Sequence, residues 1–367
     1  MILKNSKIKH IKGAKSKKLL KIIYSNAPIR INDIGGWTDT WFSGEGKVLN
    51  MGVSPSVEVQ IKIYENRKIR EGKVLVHAVN YRETFFINPE KPSYDNHPLL
   101  QAAMSSLPIP KEFDLEVTIR SRVPAGSSTG TSASVCVALL GALCHLISQK
   151  LSLDEIVSLA HRVETVKLEL QSGIQDQICA AYGGICFIHM HRYPRAQITR
   201  LNLGDLIIQR LNRRLSLIYL GESHKSSALH QEVISFLEEK GTQFKIFERL
   251  RNLAEQAKRN LINGDLKSFG NVMIQNNQCQ RSLHEELISE EADAVIKVAK
   301  KYNAAGWKVN GAGGRGGSLT ILGSEDNSLR EKMLQKIDSL GSRIKSIPVS
   351  LSLSGLSIKE DVKNIDD

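Results

Sequence analysis

The chain has few aromatic residues, 5% of 367, so the stacking platforms that grip single-stranded nucleic acid are scarce. It also lacks an apolar run of the ~18–20 residues needed to cross a bilayer. The longest apolar stretch, residues 135–147, contains Gly141 and His145 and reads as a buried helix. The five cysteines include no C-x-x-C pair, and no Cys–His cluster has zinc spacing, which excludes the common structural zinc and dithiol motifs. The lysine-rich N-terminus has neither the apolar h-region nor the cleavage site of a signal peptide. With an odd cysteine count, that points to a reducing, cytoplasmic setting. A Walker A sequence, G-x-x-x-x-G-K-[ST], is missing, as is any internal repeat.

What is present is the composition of a soluble globular protein, 41% hydrophobic and 24% charged, long enough for two domains. A formal charge of +12 suits either nucleic acid or small anions. Because the lysines are dispersed and the aromatics few, small-molecule anions are the better fit, and no nucleic-acid partner is expected. Strand-like runs (VEVQIKIY, KVLVHAV, FDLEVTIRSRV) precede helical patterns at about 131–149 and 153–170. Strands and helices then mix without regular βαβ alternation, so the expected class is α+β. The boundaries read as a basic leader over 1–21, a first domain over 22–210, a second over 211–357 and a fraying tail over 358–367.

Four stretches carry candidate chemistry. In VPAGSSTGTSAS, residues 123–134, Pro124 stops a strand, Gly126 and Gly130 permit unusual backbone angles, and Thr131 or Ser132 can cap the helix that follows. Such a turn either wraps an oxyanion with backbone N–H groups, with a hydroxyl for a magnesium ion, or is an ordinary tight helix start. In APIRINDIGGWTDT, residues 27–40, Arg30 lies on a strand, followed by a Gly-Gly turn beside Trp37, Thr38 and Asp39. A carboxylate, hydroxyls and a ring face together suit a sugar, although Gly-Gly turns beside Asp are common. In SGIQDQICAAYGG, Asp176 enters an apolar stretch, where a carboxylate is paired, functional or exposed. Glu164 lies twelve residues earlier on a helical pattern. NGAGGRGG, residues 310–317, has five glycines in eight and is weak evidence alone. His189 and His191 share a strand face and read as structural. Lys225, Ser226 and Ser227 follow a strand and are either a substrate contact or a plain helix start.

In this order the stretches resemble the GHMP small-molecule kinases, the superfamily of galactokinase, homoserine kinase and mevalonate kinase, over roughly residues 27–320. The resemblance implies an N-terminal domain like ribosomal protein S5 domain 2, a ferredoxin-like C-terminal domain and an active site between them. By it, Pro124, Gly126, Ser127, Ser128, Gly130, Thr131 and Ser132 cradle the phosphates of ATP, with Thr129 in the family's leucine place. It implies Ser132 and Glu164 as Mg2+ ligands, Asp176 as the catalytic aspartate and Arg30 as the cation that steadies the transferring phosphate. Gly36, Trp37, Thr38 and Asp39 match the sugar-facing positions. Gly311, Gly313 and Gly314 match the loop that backs the phosphate loop, with Arg315 in place of the usual glycine. GGWTDT followed by GKVLNMGV resembles the fucokinase, arabinokinase and heptose-phosphate kinase branch more than galactokinase, whose motif carries Glu-His before the threonine. The implied activity is ATP-dependent phosphorylation of a sugar or sugar phosphate, at the anomeric hydroxyl, by a monomer or homodimer. The alternatives are a non-catalytic sugar and ATP sensor, or a kinase of a non-sugar alcohol.

Overall fold

A computed structural model describes residues 18–65, 72–221 and 226–362, without the side chains of 226–230. The basic leader up to residue 17 and Lys225 of the KSS stretch lie outside the described residues, as do the side chains of Ser226 and Ser227. The chain opens with two long strands, β1 (Leu19–Ile34) and β2 (Gly46–Glu65). β3 (Val74–Ala78), β4 (Glu83–Ile87), helix α1 (Pro98–Met104) and β5 (Phe113–Ser121) follow. Three helices come next: α2 (Thr131–Leu146), α3 (Leu153–Arg162), which runs into a π turn at Val163–Lys167, and α4 (Gln175–Tyr182). The hairpin β6 (Ile185–Arg192) and β7 (Arg195–Arg200) leads through α5 (Asp205–Arg214) to β8 (Leu215–Gly221). The remaining helices are α6 (Ser226–Lys240), α7 (Lys245–Ile262), α8 (Leu266–Leu283) and α9 (Glu290–Lys301). β9 (Gly306–Val309), β10 (Gly317–Leu322), α10 (Asn327–Asp338), β11 (Lys345–Ile347), β12 (Ser350–Leu351) and β13 (Ser357–Val362) complete the order.

Two sheets form, and the class is α+β. The larger runs β13-β1-β2-β5-β3-β4, with β6, β7 and β12 attached through β2; the smaller runs β11-β8-β10-β9. β2 organises the first sheet: its early residues pair with β6 and its later ones with β5, while β1 follows it along the other edge. The burial patterns of both strands explain this. Where β1 and β2 alternate between buried and half-exposed, one face is wet; where they are buried continuously, both faces are covered. Helices α1 to α4 cover one face with a core that includes Ile61, Val117, Leu139 and Ile178. α7 and α8 cover the inner halves of β1 and β2, around Ile31, Met51 and Phe269. α9 and α10 pack on the second sheet around Ile218, Val295 and Ile337.

The helix starts follow local chemistry. Ser152 and Glu155 form a reciprocal capping box at α3, and Asp326 caps α10. The expected helix over 153–170 is shorter, because the backbone passes into the π turn that carries Glu164. The C-terminal segment also differs from expectation. Residues 357–362 do not fray; they form β13, paired antiparallel with β1 from Lys21 to Asn26. Leu356 and Ile358 are the apolar anchors, since both pack against the core under the first sheet.

Candidate active site

The phosphate-loop sequence follows β5 and ends at the start of α2. Gly130 holds the N-cap position with φ 65, and no side chain caps the helix. Thr131 and Ser132, expected to cap, are instead the first helical residues, so their hydroxyls are not spent on the helix end. The loop carbonyls are turned inward: that of Ser127 accepts from Ser318 Oγ, that of Ser128 from Arg30 Nη1, and that of Thr129 from the Arg30 N–H. The amides from Gly126 to Ser132 find no acceptor among the described residues. A run of open N–H groups at the positive end of a 16-residue helix is an anion seat.

Arg30 reaches this loop from β1. Its Nε and Nη2 donate to the two oxygens of Asp176, at 2.8 and 3.0 Å, and Nη1 donates to Asp33 Oδ1 at 3.1 Å. Burial opposes its charge, yet Asp176 and Asp33 outweigh that and raise its pKa, so the guanidinium stays charged. Asp176 lies in the first turn of α4, and its side chain is 29% exposed. The phosphate loop passes close to it: a Cβ added at Gly130 would stand 2.9 Å from Asp176 Cγ. Only glycine meets both that approach and the positive φ.

Asp33 and Lys308 escaped the sequence reading. Lys308, on β9, donates to Asp33 Oδ1 at 2.9 Å, and both are almost fully buried. Burial would raise the Asp33 pKa, but Lys308 and Arg30 bring it below the ordinary value. Their signal was faint: Asp33 follows Arg30 and Asn32 on a strand and reads as one more polar residue before the Gly-Gly turn, and Lys308 between Trp307 and Val309 looks like a solvent-facing strand residue.

The first motif splits. Trp37 and Asp39 line the cleft, whereas Gly36 and Thr38 do not. Thr38 is buried, its hydroxyl donating to Gly35 O and accepting from the Lys47 N–H, and a Cβ on Gly36 would meet Asp33 Oδ2 at 2.7 Å. These two build the turn. Asp39 is spent on α4, its Oδ2 accepting from the N–H groups of Ile174 and Gln175. Burial pushes its pKa up to about 6, against those hydrogen bonds and with help from the charge of Asp176. Trp37 has φ 75, an unfavourable angle for a bulky residue that is found where function imposes it.

Glu164 is buried in the π turn and does not line the cleft. Its Oε2 accepts from Ser172 Oγ at 2.7 Å and Gln177 Nε2 at 2.8 Å, while its Oε1 has no partner. Burial raises its pKa to about 7. Among the described residues no group of three or more acidic, His or Cys side chains is gathered as for a metal.

Gly311 and Gly313 also line the cleft; Gly314 is buried behind them. A Cβ on Gly311 would stand 3.1 Å from Ser128 O, so this loop rests on the phosphate loop. Arg315 is exposed, and it is not among the residues with positive φ, so the departure from glycine costs no strain. His189 and His191 lie side by side on β6, their ring centroids 3.9 Å apart and their planes tilted by 47°, with His189 bonded to Glu45.

The cleft encloses about 870 Å³. Besides the loop, it is walled by Trp37, Trp41 and Phe42, and elsewhere by Tyr81, His97 and Ile119. Arg30 is the one Lys or Arg among its described lining residues.

Comparison with known proteins bears on this arrangement. The family model described as the GHMP kinases N terminal domain matches residues 99–184, which carry the phosphate loop, Glu164 and Asp176. A bifunctional fucokinase/GDP-fucose pyrophosphorylase of Arabidopsis thaliana is 26% identical over 85% of this chain and 30% of its own length. A D-glycero-alpha-D-manno-heptose 7-phosphate kinase of Campylobacter jejuni is 22% identical over 81% of this chain and 88% of its own. Residues 99–184 thus carry a GHMP kinase N-terminal domain. A solved D-glycero-D-manno-heptose 1-phosphate kinase from Bacteroides thetaiotaomicron has the same fold, with a TM-score of 0.72 at 19% identity, covering 93% of this chain and 100% of that one. The match to the plant relative thus spans under a third of that protein. Among the described residues no helix is long and apolar enough to cross a membrane.

Proposed function

We propose that this chain is an ATP-dependent sugar kinase that transfers the γ-phosphate to a sugar hydroxyl, the anomeric one of fucose, a heptose 7-phosphate or a related sugar. One observation carries the reading. The open amides at the start of α2 and the Arg30–Asp176 pair face one cleft, with a glycine where loop and carboxylate approach.

Phosphoryl transfer asks a protein mainly to position groups and to neutralise charge. The amides from Gly126 to Ser132 hold the phosphate oxygens, and Arg30 steadies the charge that develops on the moving group. Asp176 orients the attacking hydroxyl and takes its proton as the new bond forms. Trp37, Trp41 and Phe42 offer ring faces to the apolar side of a sugar, and Tyr81 and His97 offer theirs to the nucleotide base. Ser132 offers an exposed hydroxyl on the cleft that fits a magnesium ion in chemistry, whereas Glu164, with its unpartnered oxygen, lies buried off the cleft. Such an ion, once bound, would screen the phosphate charges.

The test is ADP release by the purified protein with fucose, arabinose, galactose, mannose and heptose 7-phosphate. Turnover with at least one sugar is the expected result. Tight sugar or ATP binding without turnover on any of them would favour the sensor, and turnover with mevalonate alone would move the acceptor outside sugars.

A further inference from the structure

The Arg30–Asp176 pair is one half of a longer chain of charges. Lys308, Asp33, Arg30 and Asp176 alternate in sign, and the first three are almost wholly buried. Asp33 Oδ1 is the node: it accepts from Arg30 Nη1 at 3.1 Å, Lys308 Nζ at 2.9 Å and the Gly311 N–H at 3.1 Å. Lys308 gives a second bond to the Val309 carbonyl. A buried strand position can be filled by methionine at similar volume, and a buried ammonium is costly to keep. The two carboxylates hold different nitrogens of Arg30, Asp33 taking Nη1 and Asp176 taking Nε and Nη2. An unneutralised Asp33, so close in a low-dielectric interior, would compete strongly with Asp176 for the same guanidinium.

We propose that Asp33 and Lys308 are a positioning pair for Arg30: the carboxylate fixes Nη1 of the guanidinium, and the ammonium keeps that carboxylate from drawing the guanidinium away from Asp176. The inference rests on the kinase reading of this cleft. It also gives the third motif a task beyond backing the loop, since β9 brings Lys308 and the following turn brings the Gly311 amide to the same oxygen.

The experiment compares Lys308→Met and the balanced double variant Asp33→Ala/Lys308→Met with the parent. Tm, kcat and KM for ATP are measured on each. Lys308→Met should lower kcat about 100-fold, the scale of a small misplacement of a reacting group, with KM for ATP within about threefold. The double variant removes both buried charges, so it should recover Tm while kcat stays low. An unfolded double variant, or a folded one with kcat within about threefold of the parent, assigns the pair to structure alone and overturns the proposal. A second readout does not depend on activity. The Arg30 Nε–H resonance, identified by its loss in Arg30→Lys, should exchange slowly in the parent and faster in the folded double variant. Equal exchange in both overturns the proposal even if the parent phosphorylates nothing. A parent inactive on every sugar would instead count against the kinase reading.

Discussion

Asp176 and Glu164 are two carboxylates that the fold treats differently. Asp176 is partly open to the cleft and clamped by Arg30. Asp176→Asn would keep the shape and lose the charge, so kcat should fall by about 10²–10⁴, the range for removing a general base. Tm should move by only a few degrees. Near-parent turnover in that folded variant would remove Asp176 from the chemistry. Glu164 is buried, and burial outweighs its hydrogen bonds to hold its pKa up to about 7, above the ordinary 4.5. The sign follows from linkage. A carboxyl whose folded pKa is raised stabilises the fold fully below 4.5, and that contribution is lost as pH rises through about 7. Glu164→Gln, without metal or nucleotide, should therefore gain Tm over the parent as pH goes from 5 to 8, by a few degrees. A difference that does not change with pH would contradict it.

The decisive element is the turn between β5 and α2, and its behaviour is set by the absence of side chains. Gly130 has φ 65, and its Cα stands against Asp176. Gly130→Ala would put a methyl group into that contact and a Cβ into the left-handed region, at a cost of about 1–2 kcal/mol. The loop must then shift relative to Asp176, so kcat should drop at least about tenfold. Denaturant unfolding and steady-state kinetics measure the two effects separately. A fully active Gly130→Ala would mean that the spacing between loop and α4 does not govern turnover. Helix α4 shows the same economy: its N-terminus is held by Asp39 from the first motif, so one side chain ties the Gly-Gly turn to the helix that carries Asp176.

At the scale of the molecule, the chain closes on itself. β13 lies along β1, the strand that carries Arg30, and Leu356 packs against α2, where a Cβ on Gly141 would meet it at 2.8 Å. Removing residues 352–367 strips an edge strand and two partly buried apolar side chains, a loss of roughly 2–4 kcal/mol. Thermal unfolding of the shortened chain should show a clearly lower Tm; an unchanged Tm would show that β13 adds nothing to the first sheet. The two sheets also meet at the site. Asn310, in the turn after β9, accepts from the Asn32 N–H on β1, and Ser318 on β10 donates to the loop carbonyl of Ser127.

The motifs, their order and most strands and helices were legible in the sequence, because glycine spacing, caps and apolar periodicity are local properties. The phosphate loop with its helix, Arg30 and Asp176 could be singled out for that reason. Local rules could not say that Thr38 and Gly36 face inward, that Asp39 caps α4, or that Glu164 is buried off the cleft. Nor could they find Asp33 and Lys308, which are 275 residues apart and acquire meaning only when β1 and β9 meet. The charge of +12 suggested an anionic substrate, yet among the described lining residues Arg30 is the one strong cation. Net charge sums over the whole surface, whereas a site is made of the few groups that the fold turns inward and strips of water.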